Sequence, residues 1–155
     1  MGIGPVRFTV NDALRMVEQG ILPEDSTWEL LDGELVHRDR CDLRGDEIVE
    51  GLRHNYVITA LGGLTSRVND ARRHMRTQST LVCSEAHAPI PDAVVLRGPL
   101  NHYRDRLPVA ADAWCVIEVA DSSYERDAGE KLRGYAVAGV IQYVIVNLRN
   151  GTAEV

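Results

Sequence analysis

The run Trp114-Cys115-Val116-Ile117-Glu118-Val119-Ala120 is the feature that most restricts what this chain can fold into. Period-two alternation puts Trp114, Val116, Glu118 and Ala120 on one face of a strand and Cys115, Ile117 and Val119 on the other, and both faces are apolar except at Glu118. A strand covered on both faces belongs in the middle of a sheet with helices against it, not in a sheet with one wet side. Glu118 is then a charged group in an apolar place. Left unpaired it would cost several kcal/mol, so it needs a cation, an arginine or a proton, unless its end of the strand is exposed.

The rest of the chain supplies the covering layers. Thr9-Val10-Asn11-Asp12 reads as a capping box, followed by Ala13, Leu14 and Val17 at helical spacing and a stop at Gly20. In WELLDGELV, Asp32-Gly33 sits between two apolar-rich runs and predicts a hairpin whose two-residue turn needs positive φ. The polar stretch from His37 to Asp46 reads as a loop. Val49, Leu52, Tyr56, Ala60, Leu64 and Val68 then recur with helical period, predicting a long amphipathic helix weakened by Gly62-Gly63.

TQSTLVC, PDAVVL and WCVIEVA follow as strands. Asp121-Ser122-Ser123 offers N-caps for a helix with Ala128, Leu132, Tyr135, Ala136 and Gly139 along one face; QYVIVNL is a last strand, and Asn150-Gly151 begins another hairpin turn. Meandering strands followed by a strand–helix–strand crossover predict an α/β fold: a mixed central sheet flanked by helices, with an N-terminal helix and β-hairpin. At 155 residues, 45% of them hydrophobic, a single domain over 1–155 is expected.

Charge and cysteine content exclude several classes. A net charge of -6 argues against coating a nucleic acid or an anionic membrane by bulk attraction, so any nucleic-acid contact must be local. No apolar run approaches the ~20 residues of a membrane span, and no membrane partner is expected. Cys41, Cys83 and Cys115 are odd in number and widely spaced, suggesting neither disulfides nor a zinc site, and a reducing cytoplasm fits them. The five histidines lack the spacing that puts two imidazoles on one metal.

Three residues stand out as carriers of chemistry. Asp92 follows Pro91 at the head of PDAVVL; such an Asp is common in turns, but if its strand neighbours that of Glu118 the two carboxylates converge on one divalent cation, and such oxygen ligands suit Mg²⁺ or Mn²⁺. Lys131 is the third. Sixteen of the 17 Lys+Arg residues are arginine, and a position that stays lysine under so strong a bias points to a need for a compact ammonium. It lies at the margin of its helix's apolar stripe, from which a lysine either snorkels to solvent or swings toward the sheet. Arg67, Arg72, Arg73, His74 and Arg76 form a basic cluster that could contact phosphates or simply be a solvated loop.

The segments FTVNDALRMVEQGIL, WELLDGELV, PIPDAVVLRG and VIEVADSSYERDAGEKLRGYAVAGVIQYVIVNL closely resemble the Uma-two family, described as restriction-type endonucleases, over nearly the whole chain. The matching motifs are an E-L-[LI]-D-G-E hairpin, a P-D strand, an E-V-[AL]-[DS]-x-S strand end and a D-x-x-x-K-x-x-x-Y-A-x-A-G helix. The family is similar in fold to the PD-(D/E)XK nucleases, so the resemblance implies a restriction-endonuclease-like domain in which Asp92 and Glu118 bind metal and Lys131 completes the site. The superfamily's usual E-x-K would put lysine at position 120, which is Ala120 here; in this family the lysine has moved to the following helix, where Lys131 stands. Glu29 matches a family glutamate and is implied as a further acidic site residue, with Glu34 as its competitor. His54 matches a family histidine and is implied as a site neighbour.

What the resemblance implies is a Mg²⁺- or Mn²⁺-dependent endonuclease hydrolysing phosphodiester bonds of DNA, with Lys131 orienting the nucleophile. The rivals are a non-catalytic nucleic-acid-binding or regulatory relative that keeps the fold, and an enzyme of this fold acting on something other than DNA. The family continues beyond NLRNGTAEV, so a chain short at its C-terminus is expected, with a sheet edge that favours a homodimer.

Overall fold

The structure is a computed structural model that describes residues 4–24, 28–37 and 47–155. Beyond His37, the loop expected up to Asp46 lies outside the described residues, as does Cys41. Helix α1 (Val10–Glu18) begins at Thr9 with the reciprocal cap expected: Asp12 N–H donates to Thr9 Oγ1 at 3.2 Å and Thr9 N–H to Asp12 Oδ2 at 2.8 Å. Strands β1 (Trp28–Leu31) and β2 (Glu34–His37) form the hairpin, and its turn has φ 48° at Asp32 and 80° at Gly33, the paired left-handed geometry that matches strand twist. Backbone bonds between Leu30 and Ala88, in both directions, dock this hairpin onto the segment that leads to Asp92.

Helix α2 (Glu47–Gly63) ends at the two glycines, and a short α3 (Thr65–Val68) resumes after Leu64. Each glycine costs about 1 kcal/mol of helix stability, which sets the break there. The apolar stripe read from the sequence is not the buried one. Leu52, Leu64 and Tyr56 face solvent, Tyr56 at 76%, while His54, Val57, Ile58 and Leu61 are turned partly inward. Apolar residues encircle this helix, so periodicity does not select a face; packing does, on the side that brings His54 to Asp92.

The main sheet has the order β3-β4-β5-β6-β7, made of β3 (Arg73–Thr77), β4 (Ala93–Arg97), β5 (Ala113–Ala120), β6 (Tyr143–Asn147) and β7 (Thr152–Glu154). β5 and β6 are parallel and the other neighbours antiparallel, giving the mixed sheet expected. The first strand is displaced from TQSTLVC: it covers RHMRT, ends where Gln78 turns to φ 49°, and leaves residues 80–87 with isolated bridges, Val82 to Val109 and Ser84 to His87. β-branched composition points to the wrong segment because β3 is an edge strand, where charged side chains are tolerated and even protective. The basic cluster is therefore not a simple loop, and His74 within it is buried, its Nδ1 2.8 Å from Gly98 O.

Leu81, Val94, Leu96, Tyr103, Ala113, Val116 and Tyr135 make the core that β4 and β5 share with the crossover helix. The crossover is not one regular helix. α4 (Tyr124–Arg126) passes through a π-helical turn (Asp127–Lys131) into α5 (Leu132–Val137), with Leu132 N–H reaching back five residues to Asp127 O. Asp127, Lys131 and Tyr135, four residues apart, share the buried face, and Leu132 faces out, 41% exposed. Lys131 is thus at the centre of the inward face rather than at its margin, and the expected stripe through Ala128, Leu132, Ala136 and Gly139 is replaced.

Candidate active site

The buried end of β5 collects side chains from four parts of the chain. Glu118 comes from β5, Asp92 from the residue before β4, Lys131 and Asp127 from the π-helical turn, and Glu29 from β1; all five are buried. Strand pairing explains the first two: Ala93 faces Ile117 across the β4–β5 ladder, so Asp92 and Glu118 meet one step beyond that pair. Asp92 N–H donates to Glu118 Oε2 at 3.3 Å, and Val119 N–H donates to Asp92 Oδ2 at 2.7 Å. Both carboxylates are fixed by backbone donors rather than by flexible side chains alone.

Lys131 Nζ sits 2.7 Å from Glu29 Oε1, 3.0 Å from Glu118 Oε1 and 3.9 Å from Asp127 Oδ1. Glu29 Oε1 also accepts from Ile90 N–H at 2.7 Å, which ties β1 to the Pro91-Asp92 approach, while among the described residues its Oε2 has no hydrogen-bond partner. Glu34, its competitor in the hairpin, points outward and pairs with Arg7 at 2.9 Å. Tyr135, one helical turn beyond Lys131, donates its hydroxyl to Glu118 Oε1 at 3.0 Å. His54 on α2 brings Nε2 to 3.2 Å from Asp92 Oδ2, and its side chain, 29% exposed, is where this network meets solvent.

Electrostatics follow from four buried carboxylates and one ammonium, with Glu29, Glu118 and Asp127 around Lys131 and Asp92 against Glu118. Burial pushes the Glu118 carboxyl up to about 8; Lys131 pulls it back, and Asp92, Asp127 and Glu29 push it up again. Burial alone would lower the Lys131 ammonium, but Glu118, Glu29 and Asp127 outweigh it and hold the pKa above the ordinary lysine value. Asp127 is raised by burial against the pull of Lys131 and Ser123, whose hydroxyl donates to Asp127 Oδ2 at 2.5 Å. Tyr135 is raised well above the tyrosine range, first by burial and then by Glu118, and stays a hydroxyl donor.

Asp127, Tyr135 and Tyr143 escaped the sequence reading. The D-x-x-x-K spacing was a signal for Asp127, since it puts the two side chains one turn apart. The helical spacing assigns Tyr135 to the core, which it joins while also reaching Glu118. Tyr143 donates to Asp127 O at 3.0 Å, the same carbonyl that closes the π-helical turn, and nothing in the sequence announces that contact.

Among the described residues no group of three or more His, Cys, Asp or Glu side chains is arranged to hold a metal ion. The donor set near β5 is the pair Asp92 and Glu118. Two hard carboxylates are enough for Mg²⁺, which keeps several waters and takes one or two protein carboxylates, the rest of its shell coming from substrate phosphate. The negative excess of the cluster is also what a divalent cation would relieve, so the residues present fit such an ion.

A mixed sheet with this crossover, preceded by a helix and a hairpin, is a restriction-endonuclease-like fold. The family model of Uma2, described as "Putative restriction endonuclease", matches residues 12–155, and the chain belongs to that family. This places it with nucleases in general. A search of the curated proteins finds no match. Among the described residues no helix is long and apolar enough to cross a membrane.

Proposed function

We propose that the protein is a divalent-metal-dependent endonuclease that hydrolyses phosphodiester bonds of DNA, with Asp92 and Glu118 holding Mg²⁺ or Mn²⁺. The observation that carries this reading is the buried cluster in which Glu29, Glu118 and Asp127 surround Lys131 and Asp92 lies against Glu118. A structural ion pair needs one acid per base. An excess of buried carboxylates that raises the pKa of one of them costs folding energy, and such perturbed groups concentrate where chemistry is done.

A bound divalent ion would supply Lewis-acid polarisation of the phosphoryl oxygen and a lowered pKa for the attacking water. The chain's own groups do the rest. Lys131, whose raised pKa keeps it cationic at neutral pH, serves as an electrostatic group beside the phosphate and not as a proton acceptor. Glu29 and Asp127 hold its ammonium in place, and Glu29 Oε2, which has no hydrogen-bond partner among the described residues, is the group suited to orient water. The Tyr135 hydroxyl fixes Glu118 Oε1, and Val119 N–H fixes Asp92, so neither carboxylate must reorganise when substrate arrives.

The test is nicking of supercoiled plasmid with Mg²⁺ or Mn²⁺ by the wild type, Asp92→Asn and Lys131→Ala, with circular dichroism to confirm that each variant is folded. Both folded variants should be slower by roughly a hundredfold or more. Wild-type rates in both would sink this assignment, and a wild type that shifts DNA on a gel without cutting it would favour a binding protein that keeps the fold.

A further inference from the structure

Trp114 marks a break in the register of the sheet. Val95 pairs with Cys115 and Leu96 with Ala113, so Trp114 is the extra residue of a β-bulge. Bulges re-aim side chains. Regular alternation would put this indole on the buried face with Val116 and Glu118; the bulge turns it out to 47% exposure. Leaving so large a ring half in water forgoes part of its apolar burial. The Arg97 guanidinium lies 4.3 Å from the ring centroid and is itself held, its Nε donating to Ala111 O at 3.3 Å. The indole is exposed yet fixed.

It forms one wall of a groove of about 290 Å³, whose other walls include Arg67 at the end of α3, Arg73 at the head of β3 and Gln142 just before β6. With Arg97, three guanidinium groups gather here. Asp70 is 3.6 Å from Arg73 Nε and offsets one of them, which leaves a local positive excess on a chain of net charge -6. Arg67 belongs to the same α2–α3 helix pair that carries His54 over Asp92.

We propose that this groove binds an unpaired nucleotide of a nucleic-acid strand, with its base stacked on Trp114 and its flanking phosphates on Arg67 and Arg73. The proposal rests on the nuclease reading for the strand being a substrate, and it adds a preference for single-stranded or locally opened nucleic acid. An indole beside arginines is the combination that holds single strands, because every base has a face to stack. In a duplex those faces are already stacked, and a base must leave the helix to reach the ring. Glu118 lies four residues further along β5, about 13 Å at ~3.3 Å per residue.

The experiment uses intrinsic fluorescence. The chain has two tryptophans, so Trp28→Phe leaves Trp114 as the reporter. In EDTA, titration with oligothymidylate should quench its emission by about half, while a blunt duplex of equal length should leave it nearly unchanged, as base stacking requires. In the wild-type background, Trp114→Leu should weaken oligothymidylate binding about tenfold by anisotropy, equal to ~1.4 kcal/mol. Arg73→Ala should weaken it less and lower the salt dependence. Unquenched emission together with unchanged affinity for the Leu variant overturns the groove, and equal quenching by duplex overturns the preference for unpaired bases. Cleavage by a protein whose Trp114 stays silent leaves the nuclease reading standing without the groove. Quenching by a protein that never cuts does the reverse.

Discussion

Replacing Lys131 by methionine removes the ammonium and keeps most of the stem's volume, so the variant isolates the charge. In the wild type that ammonium stands 2.7 Å from Glu29 and 3.0 Å from Glu118 with both partners buried. Breaking a buried pair by deleting one partner costs about 3–5 kcal/mol, because the other charge is left without compensation. The variant can escape part of this by taking up a proton. Glu118 is already raised to about 8 from an ordinary 4.5, and without Lys131, which lowers it, the value moves higher still.

The sign with pH then follows. A carboxyl raised in the fold contributes stability that is complete below its unfolded value and is lost as pH climbs through its folded value. At pH 6 both proteins hold the Glu118 proton, and Glu118 adds nothing to their difference. Above pH 8 the wild type has finished losing that proton while the variant has not, so the variant falls behind by up to ~1.4 kcal/mol per pH unit. Lys131 itself, raised above 10.5, stays charged in the wild type throughout this window. Urea unfolding of both proteins at pH 6 and pH 9 in EDTA should give the methionine variant the lower midpoint at both, with the gap wider at pH 9. A gap that is constant, that narrows with pH or that reverses sign would refute the account of Lys131 as the compensating charge of this cluster.

Two further perturbations probe the elements around the site. Glu29→Gln keeps an acceptor oxygen for Lys131 and Ile90 but removes the charge nearest the ammonium, so with Glu118 and Asp127 still in place stability should fall by about 1–3 kcal/mol while metal-dependent nicking by the folded variant falls at least tenfold; a fully active variant would remove Glu29 from the machinery. Gly134 is pressed against His87, and a Cβ there would overlap the His87 ring at Nε2. Gly134→Ala should therefore cost about 1–3 kcal/mol by thermal melting, and His87→Ala in the same chain should recover much of it; independent, additive losses would show that the two residues do not meet.

How far the sequence discloses this site depends on which physical signal each residue emits. Glu118 is legible because a carboxylate in an apolar strand has few explanations, and the Asp32-Gly33 hairpin because its turn needs two positive φ values that few residue pairs supply. Trp114 was misplaced for a reason of the same kind: alternation is a strict rule, and one bulged residue inverts it locally without leaving a trace in composition. The α2 stripe failed because apolar residues surround that helix, and the choice of face is made by the sheet it packs on. The basic run before TQSTLVC was hidden as a strand because edge positions reward charge over β-propensity.

Lys131 joins these threads. A regular α-helix through residues 124–137 keeps Leu132 on the apolar face and leaves Lys131 at its border, which is how the spacing reads. In the structure the lysine is turned inward and Asp127, Lys131 and Tyr135 face the sheet together through a π-helical turn, which Tyr143 braces at the Asp127 carbonyl. Such a turn gives up regular helical hydrogen bonding, and the cluster it builds buries more carboxylates than one ammonium can neutralise. Both are costs to folding, incurred at one place and aimed at one point on β5. In a chain that uses arginine at its other sixteen basic positions, the compact ammonium fits between Glu29 and Glu118 where a planar guanidinium would need more room. The cluster is an arrangement held under electrostatic strain by the fold, and under the proposed function a divalent ion would relieve that strain and a substrate phosphate would complete the site.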